Sequence, residues 1–171
     1  ALKRADVIIT VTSSDIGSAL KRADVIITVT ASADAVIEPQ HLKPGAVVCD
    51  VARPRDVSRQ VAEQRQDVLV IEGGVVSVPG DVQFPINFGY PPGTALACMA
   101  ETMILALEER CENFTLGREI SLEQVEEISR LAKKHGFSLA GLRSFERPVT
   151  LEDVERVKLC ARKYQGGIQN P

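Results

Sequence analysis

The sequence predicts an α/β fold, a partial doubly wound parallel sheet followed by carboxyl-terminal helices, and three observations carry that prediction. Short runs rich in Val and Ile recur, they do not alternate with polar residues, and helix-forming segments separate them. Unbroken apolar strands are those expected where helices cover a parallel sheet on both faces. Strand, helix, strand in repetition is the signature of crossover-linked parallel pairs.

The elements follow in order. Val7 to Val11 reads as a strand, Asp15 to Ala23 as a helix and Val25 to Val29 as a second strand. Ala33 to Leu42 has mixed character before Pro44 and Gly45, whose turn chemistry stops it and starts a third strand, Ala46 to Cys49, ending at Asp50. Asp56 to Gln66 is helical and Val68 to Ile71 is the fourth strand. The stretch EGGVVSVPGDVQFPINFGYPPG, rich in glycine and proline, is expected to form an irregular, partly extended cover over the sheet.

Helices then resume. Thr94 to Arg110 has helix formers throughout, a cap candidate in Thr94 and apolar residues on nearly every face, so a buried helix is expected. Ser121 with Gln124 makes a capping box before a helix whose Leu122, Val125, Ile128 and Leu131 share one stripe and which Gly136 ends. Thr150 with Asp153 opens a last amphipathic helix to about Tyr164, and QGGIQNP reads as a frayed tail. The expected division is a truncated nucleotide-binding core over 1–93 and a helical region over 94–171 that packs on it.

Composition narrows function. A hydrophobic content of 44% and a charged content of 25% over 171 residues fit one packed domain, or one with an appendage. A net charge of -3 with scattered cations disfavours a nucleic-acid partner. No apolar run reaches the roughly 18 residues of a membrane span, and no signal peptide opens the chain, so the cytoplasm is the expected location. Cys49, Cys98, Cys111 and Cys160 lack CxxC spacing, which argues against zinc and against a disulfide framework. No metal is expected.

The twelve residues of Ala1 to Thr12, ALKRADVIITVT, return unchanged at Ala19 to Thr30. Two readings compete, a short βαβ unit or a sequence error in which residues 1–18 stand in for an upstream segment, and the second is preferred. Either way a glycine-rich turn for a pyrophosphate is missing. TSSDIGS offers Gly17 alone, with Val11 and Ser14 where glycines would be wanted, and a capped helix start at Ser14 or Asp15 explains it better.

The stretch ADVIITVTASADAVIEPQHLKPGAVVCDVARPRD resembles the later half of many nicotinamide-binding, Rossmann-like domains, among them shikimate and methylenetetrahydrofolate dehydrogenases. EGGVV, ALACMAETMILALE and ENFTLGREISLEQVEEISRLAKKHGF are similar to the carboxyl-terminal region of long-chain acyl-acyl carrier protein reductases, which make fatty aldehydes. The resemblance covers about Ser14 to Phe137, and Leu139 to Pro171 looks like an extension. It implies an NADP-dependent oxidoreductase, with NADPH reducing a carrier-bound or CoA-bound acyl group through an acyl-enzyme on the cysteine of an ACFAE-like motif, here ACMAE and Cys98. A helix start would favour the thiolate, and Gly93 would keep the approach open. Read by its neighbours alone, Cys98 is a small buried hydrophobe.

Further candidates are assigned beside it. Thr30, Ala31 and Ser32 follow a strand's carboxyl end, where they would admit a ribose or simply turn the chain, and Asp50, Val51, Ala52 and Arg53 occupy the equivalent place after the next strand. Gly73 and Gly74 either let backbone approach the nicotinamide or make a turn. Glu101, three residues after Cys98, is a proton handler or a structural glutamate. Arg53, Arg55, Arg59 and Arg65 meet an acidic carrier or, preferably, solvent. His135 reads as a helix cap and His41 as a loop residue.

The family's amino-terminal substrate region is not among these residues, nor is a convincing phosphate loop. The expectation is therefore that this chain is part of a longer reductase and by itself neither turns over nor holds NADPH tightly. The alternatives are a shikimate-type or methylenetetrahydrofolate-type dehydrogenase without covalent catalysis, and a non-catalytic binding or assembly module whose terminal helices form a partner surface. Oligomer formation is left open.

Overall fold

The computed structural model describes residues 7–9, 16–85, 89–117 and 119–168. Four parallel strands, β1 (Val7–Ile9), β2 (Val25–Thr28), β3 (Val47–Asp50) and β4 (Leu69–Glu72), lie side by side in chain order. Helix α1 (Ile16–Arg22) joins the first pair, a 3-10 turn over Pro39–His41 lies between the second, and α2 (Arg59–Gln64) joins the third. In β1 each residue sits beside its own duplicate, Val7 by Val25, Ile8 by Ile26 and Ile9 by Ile27.

Burial along β2 and β3 alternates, with Ile26, Thr28, Val48 and Asp50 sealed and Val25, Ile27, Val47 and Cys49 half-buried. This departs from the cover on both faces that unbroken apolar runs predict. The strand order gives the reason: right-handed crossovers that advance in one direction lay every helix on the same face, and only a reversal of direction covers the other. The packed face joins Leu20 of α1 and Val61 of α2 to Ile26, Val48 and Val70 in one cluster. These strands are thus one half of a doubly wound sheet, with the mixed segment before β3 contributing only a short 3-10 turn.

Two compact units result, residues 1–73 with 142–171, and residues 74–141. The first boundary falls at Gly73 rather than Gly93, and the terminal segment belongs with the first unit rather than with the other helices. That segment is a hairpin, β8 (Arg143–Ser144) with β9 (Arg147–Pro148), followed by α5 (Leu151–Ile168). Thr150 and Asp153 cap α5 reciprocally: the Asp153 carboxylate accepts from the Thr150 amide at 3.0 Å and its hydroxyl at 2.8 Å, and the Asp153 amide donates back at 3.1 Å. The helix runs past the expected end at Tyr164, so Gln165 to Ile168 are helical rather than frayed.

Gly45 fixes α5 in place. Its φ is +80°, and a Cβ there would stand 2.3 Å from the Ala161 Cα and 2.5 Å from the Ala161 nitrogen. Both demands exclude a side chain. Gly45→Ala is expected to destabilise the chain by at least about 2 kcal/mol, read as a lowered urea midpoint. Ala161→Gly should not rescue it, because the nearest atoms are backbone.

The second unit carries the antiparallel order β6 (Thr94–Leu96), β5 (Val75–Ser77), β7 (Ser138–Leu139), with helices α3 (Ala97–Leu107) and α4 (Leu122–Lys134). Three expectations are corrected here. The Gly- and Pro-rich stretch is not wholly irregular, since it supplies β5; its residues 86–88 lie outside the described ones. Thr94 to Leu96 is strand rather than helix, because Thr94 pairs with Ser77 and Ala95 with Val76. The N-cap of α3 is accordingly Leu96, while the Thr94 hydroxyl donates to the Pro91 carbonyl at 2.6 Å.

Nor is α3 buried all round. Ala100 and Ile104 join Leu131 of α4 and Phe137 in a small core, but Cys98, Thr102 and Leu107 are exposed. The Ser121 and Gln124 capping box forms as expected, and Gly136 follows α4 at φ +82°. Of the α4 stripe, Ile128 and Leu131 face the core while Leu122 and Val125 are exposed. No helix among the described residues is long and apolar enough to cross a membrane.

Candidate functional site

Three apolar strands of the parallel sheet end in polar residues that stand abreast. Thr28, Asp50 and Glu72 are register partners across β2, β3 and β4. All are sealed, at 1%, 0% and 5% exposure, although such groups are seldom buried without partners. The partners come from the loops beyond the strand tips, the edge at which open α/β sheets take ligands.

Asp56, itself 0% exposed, is the hub. Its carboxylate accepts from the Thr28 hydroxyl, and from the amide of Thr30 at 2.9 Å and its hydroxyl at 2.5 Å. Its carbonyl accepts the amides of Val36 at 2.8 Å and Ile37 at 2.9 Å. One residue therefore ties the loop after β2 to the loop after β3. Asp50 organises its own loop, accepting the amides of Ala52 and Val57, each at 3.0 Å. Burial pushes the Asp50 carboxyl above its usual range, against the pull of the amides of Val57, Asp56 and Ala52, and the neighbouring Asp56 charge adds to the rise. Burial likewise raises the Cys49 thiol, with the Asp50 charge second.

At the last strand Glu72 takes two hydrogen bonds from Arg55, from Nη2 at 2.6 Å and Nε at 2.9 Å, while its Oε2 is buried without a partner. Arg55 also reaches Glu146 in the β8–β9 hairpin at 3.2 Å, and its guanidinium lies 5.8 Å from the Phe145 ring centre. The expected solvent-facing row of arginines is thus split. Arg55 is engaged here, Arg65 binds Asp67 and the Leu42 carbonyl, and Arg59 is exposed with a 3.5 Å contact to Glu146. Arg53, exposed, donates to the Ala52 carbonyl at 2.6 Å.

A cavity of about 270 Å³ opens beside the tip of β2, with Thr28, Thr30, Ala31 and Ser32 in its wall opposite Ile16 and Val36. Ser32 donates its amide to the Thr30 hydroxyl at 3.1 Å, so the Thr30 side chain is fixed by the loop it lines. The candidates of the first loop are therefore brought together, whereas Asp50 and Ala52 are buried within the second loop and Val51 and Arg53 are on its surface. Gly73 is explained by packing, since a Cβ would come within 2.6 Å of the Val51 side chain and 3.1 Å of the Cys49 sulfur, and Gly74 has φ +75°. Gly17 is the second residue of α1, and Val11 and Ser14 lie outside the described residues.

The other candidates lie in the second unit. Cys98 is the second residue of α3 and exposed, which overturns its reading as a buried hydrophobe. Glu101, one turn on, is half-buried, and the Thr115 hydroxyl donates to its carboxylate at 2.6 Å. All three line a cleft of about 540 Å³ whose remaining wall is largely apolar. His135 caps α4 as expected and contacts Glu108, which Lys134 and then His135 hold below the usual carboxylate range. No cluster of potential metal ligands occurs among the described residues.

Sequence reasoning missed Asp56, Thr28 and Glu72. The available signal was a polar residue closing each apolar run at one common register position.

The parallel half-sheet is consistent with a Rossmann-like fold, and residues 1–72 match the family described as shikimate / quinate 5-dehydrogenase. Two curated relatives cover more of the chain. Aminotransferase PigE of Serratia sp. is 41% identical over 140 residues, 80% of this chain and 16% of that protein. Long-chain acyl-[acyl-carrier-protein] reductase of Synechococcus elongatus is 33% identical over 142 residues, 80% of this chain and 36% of that protein. The chain thus spans well under half of either relative.

Proposed function

We propose that this chain carries the cofactor-facing and thiol-bearing part of an NADPH-dependent reductase that converts an acyl thioester, on acyl carrier protein or coenzyme A, to an aldehyde through an acyl-enzyme on Cys98. The observation that carries the reading is an exposed thiol in the first turn of an eleven-residue helix, opening on an apolar cleft. The likeness to a curated acyl carrier protein reductase supports it.

The cavity beside β2 suits a nucleoside: it is small, its wall mixes hydroxyl groups with Ala31, and its shape is fixed by Asp56 beneath. Thr30, Ala31 and Ser32 would hold that part of NADPH. When bound, NADPH supplies a hydride. The Cys98 sulfur attacks the thioester carbonyl, and the carrier thiolate leaves and takes a proton. With a hydride supplied to the acyl carbon, the Cys98 thiolate would depart as leaving group, so that one thioester, one hydride and one proton would give aldehyde and carrier thiol. Glu101, which accepts the Thr115 hydroxyl at 2.6 Å, is the proton handler on the same wall.

Incubation with octanoyl-coenzyme A tests the reading without cofactor. The expected result is one octanoyl group per chain, mapped to Cys98 by peptide mass spectrometry and missing in Cys98→Ala. The match of residues 1–72 to shikimate / quinate dehydrogenases favours a second reading, hydride transfer without a covalent intermediate. No adduct here, together with undiminished reductase activity of the Cys98→Ala enzyme, would establish that one instead.

A further inference from the structure

We propose that the terminal hairpin is a releasable clasp on the last strand of the parallel sheet, strained at its tip and held closed by Arg55. The hairpin packs against β4, which pairs with β3 alone among the described strands. Its strands β8 and β9 are two residues long, and the two residues Phe145 and Glu146 join them. Both have positive φ, 44° and 74°. That is the type I′ turn, to which Asn-Gly is suited and in which an ordinary Cβ crowds the backbone. Inside the hairpin, Arg143 donates to the Glu146 carbonyl, but in the ladder it faces Pro148, which has no amide to return. The Val149 amide closes the base on the Leu142 carbonyl at 2.9 Å, and a ladder this short is marginal by itself. The closed form also carries two sealed polar atoms without partners, Arg143 Nε and Glu72 Oε2.

The contacts that hold the hairpin reach outside it. Phe145 packs against the cluster that contains Ile26, Val48 and Val61. The Glu146 carboxylate accepts from Arg55 Nη2 at 3.2 Å and from Arg59 Nη2 at 3.5 Å, and Arg55 is itself anchored at 2.6 Å on Glu72, the last residue of β4. The Glu146 side chain is 54% exposed and that of Glu72 only 1%, so dissolved ions screen the outer pair far more than the inner one. Strain and unpaired groups favour opening, whereas one aromatic ring and a screenable ion pair favour closure, and this balance sets the two forms close in free energy. Opening leaves Arg55 on Glu72 alone and uncovers β4, so ionic strength sets the accessibility of the last strand.

Amide hydrogen exchange over residues 142–149, read by mass spectrometry with the β2 and β3 amides as internal reference, tests this. Sodium chloride at about 0.1 M and about 1 M takes the screening length from about 10 Å to about 3 Å. The hairpin is expected to exchange well ahead of β2 and β3 and to speed up roughly three-fold in the higher salt, while those strands do not. Glu146→Gln should exchange roughly three-fold faster than the parent at low salt and lose the salt response. Glu146→Asn also lacks the carboxylate but tolerates a positive φ, so its hairpin should exchange about two- to three-fold more slowly than that of Glu146→Gln. A hairpin that opens only together with β2 and β3, or a parent rate that ignores salt, overturns the proposal. Equal rates in the two variants overturn it as well, since the turn would then hold no strain to release.

Discussion

Under the acyl-enzyme role proposed for it, Cys98→Ala is expected to lower aldehyde formation at least about 1,000-fold, some 4 kcal/mol of transition-state stabilisation. The size follows from the role. A nucleophile that splits one displacement into two cannot be replaced by a methyl group, and water is a poor substitute in a cleft lined by Ala100, Ile104 and Phe137. Two controls give the loss its meaning. The Cys98→Ala protein should bind NADPH as the parent does, since the candidate cofactor residues follow β2, β3 and β4 rather than lying on α3. It should also keep its melting temperature, because an exposed side chain contributes little to the core. Steady-state NADPH oxidation with an acyl thioester measures the effect, and full activity in the variant would end the covalent reading.

The second large effect is on stability. Asp56→Ala should destabilise the chain by about 3–5 kcal/mol, which for a protein of this size lowers the melting temperature by roughly 10 °C. The carboxylate serves three donors from Thr28 and Thr30, and Thr28 is 1% exposed, so its hydroxyl has no water to turn to. Stranding a buried donor costs more than deleting a matched pair. Thr28→Val in the Asp56→Ala background should therefore recover part of the loss, whereas Thr28→Val alone should be destabilising. A melting temperature within a degree or two of the parent would show that the loops after β2 and β3 are held by something other than Asp56.

The four strands of the sheet were legible because their signal is local. A run such as Val25 to Thr28 is apolar, β-branched and bounded by charge, and nothing distant is needed to recognise it. The same holds for the Ser121 and Gln124 box and for Thr150 with Asp153, in which every partner lies three residues away. Thr94 to Leu96 was illegible for the opposite reason. TAL continues smoothly into a helix by propensity, and only its pairing with Val75 to Ser77, nearly twenty residues upstream, makes it a strand.

The candidate site divides in the same way. A turn of small residues after β2 could be read from the sequence, but the residue that shapes it could not, since Asp56 lies 26 positions from Thr30. The exposure of Cys98 was hidden by its apolar neighbours. Leu96 and Met99 are each half-buried and Ala100 is buried, yet the helix turns the sulfur between them outward. Gly73 stayed open between a ligand approach and a turn in the sequence, because the neighbour that a Cβ there would meet, the Val51 side chain, is not marked by any local pattern.

The in-register pairing of β1 with β2 has a consequence for how the sheet assembles. Ala1 to Thr12 and Ala19 to Thr30 are one and the same peptide, so β3 is offered two interchangeable neighbours. Val7 to Ile9 carries the same three side chains as Val25 to Ile27, so the strand sequence alone does not say which copy takes the inner lane. The tie is broken downstream of the repeat, where ASADAVIEPQ after the later copy delivers Ile37 to its bridge with Val57. The chain thus chooses between two threadings of identical strands by means of a loop.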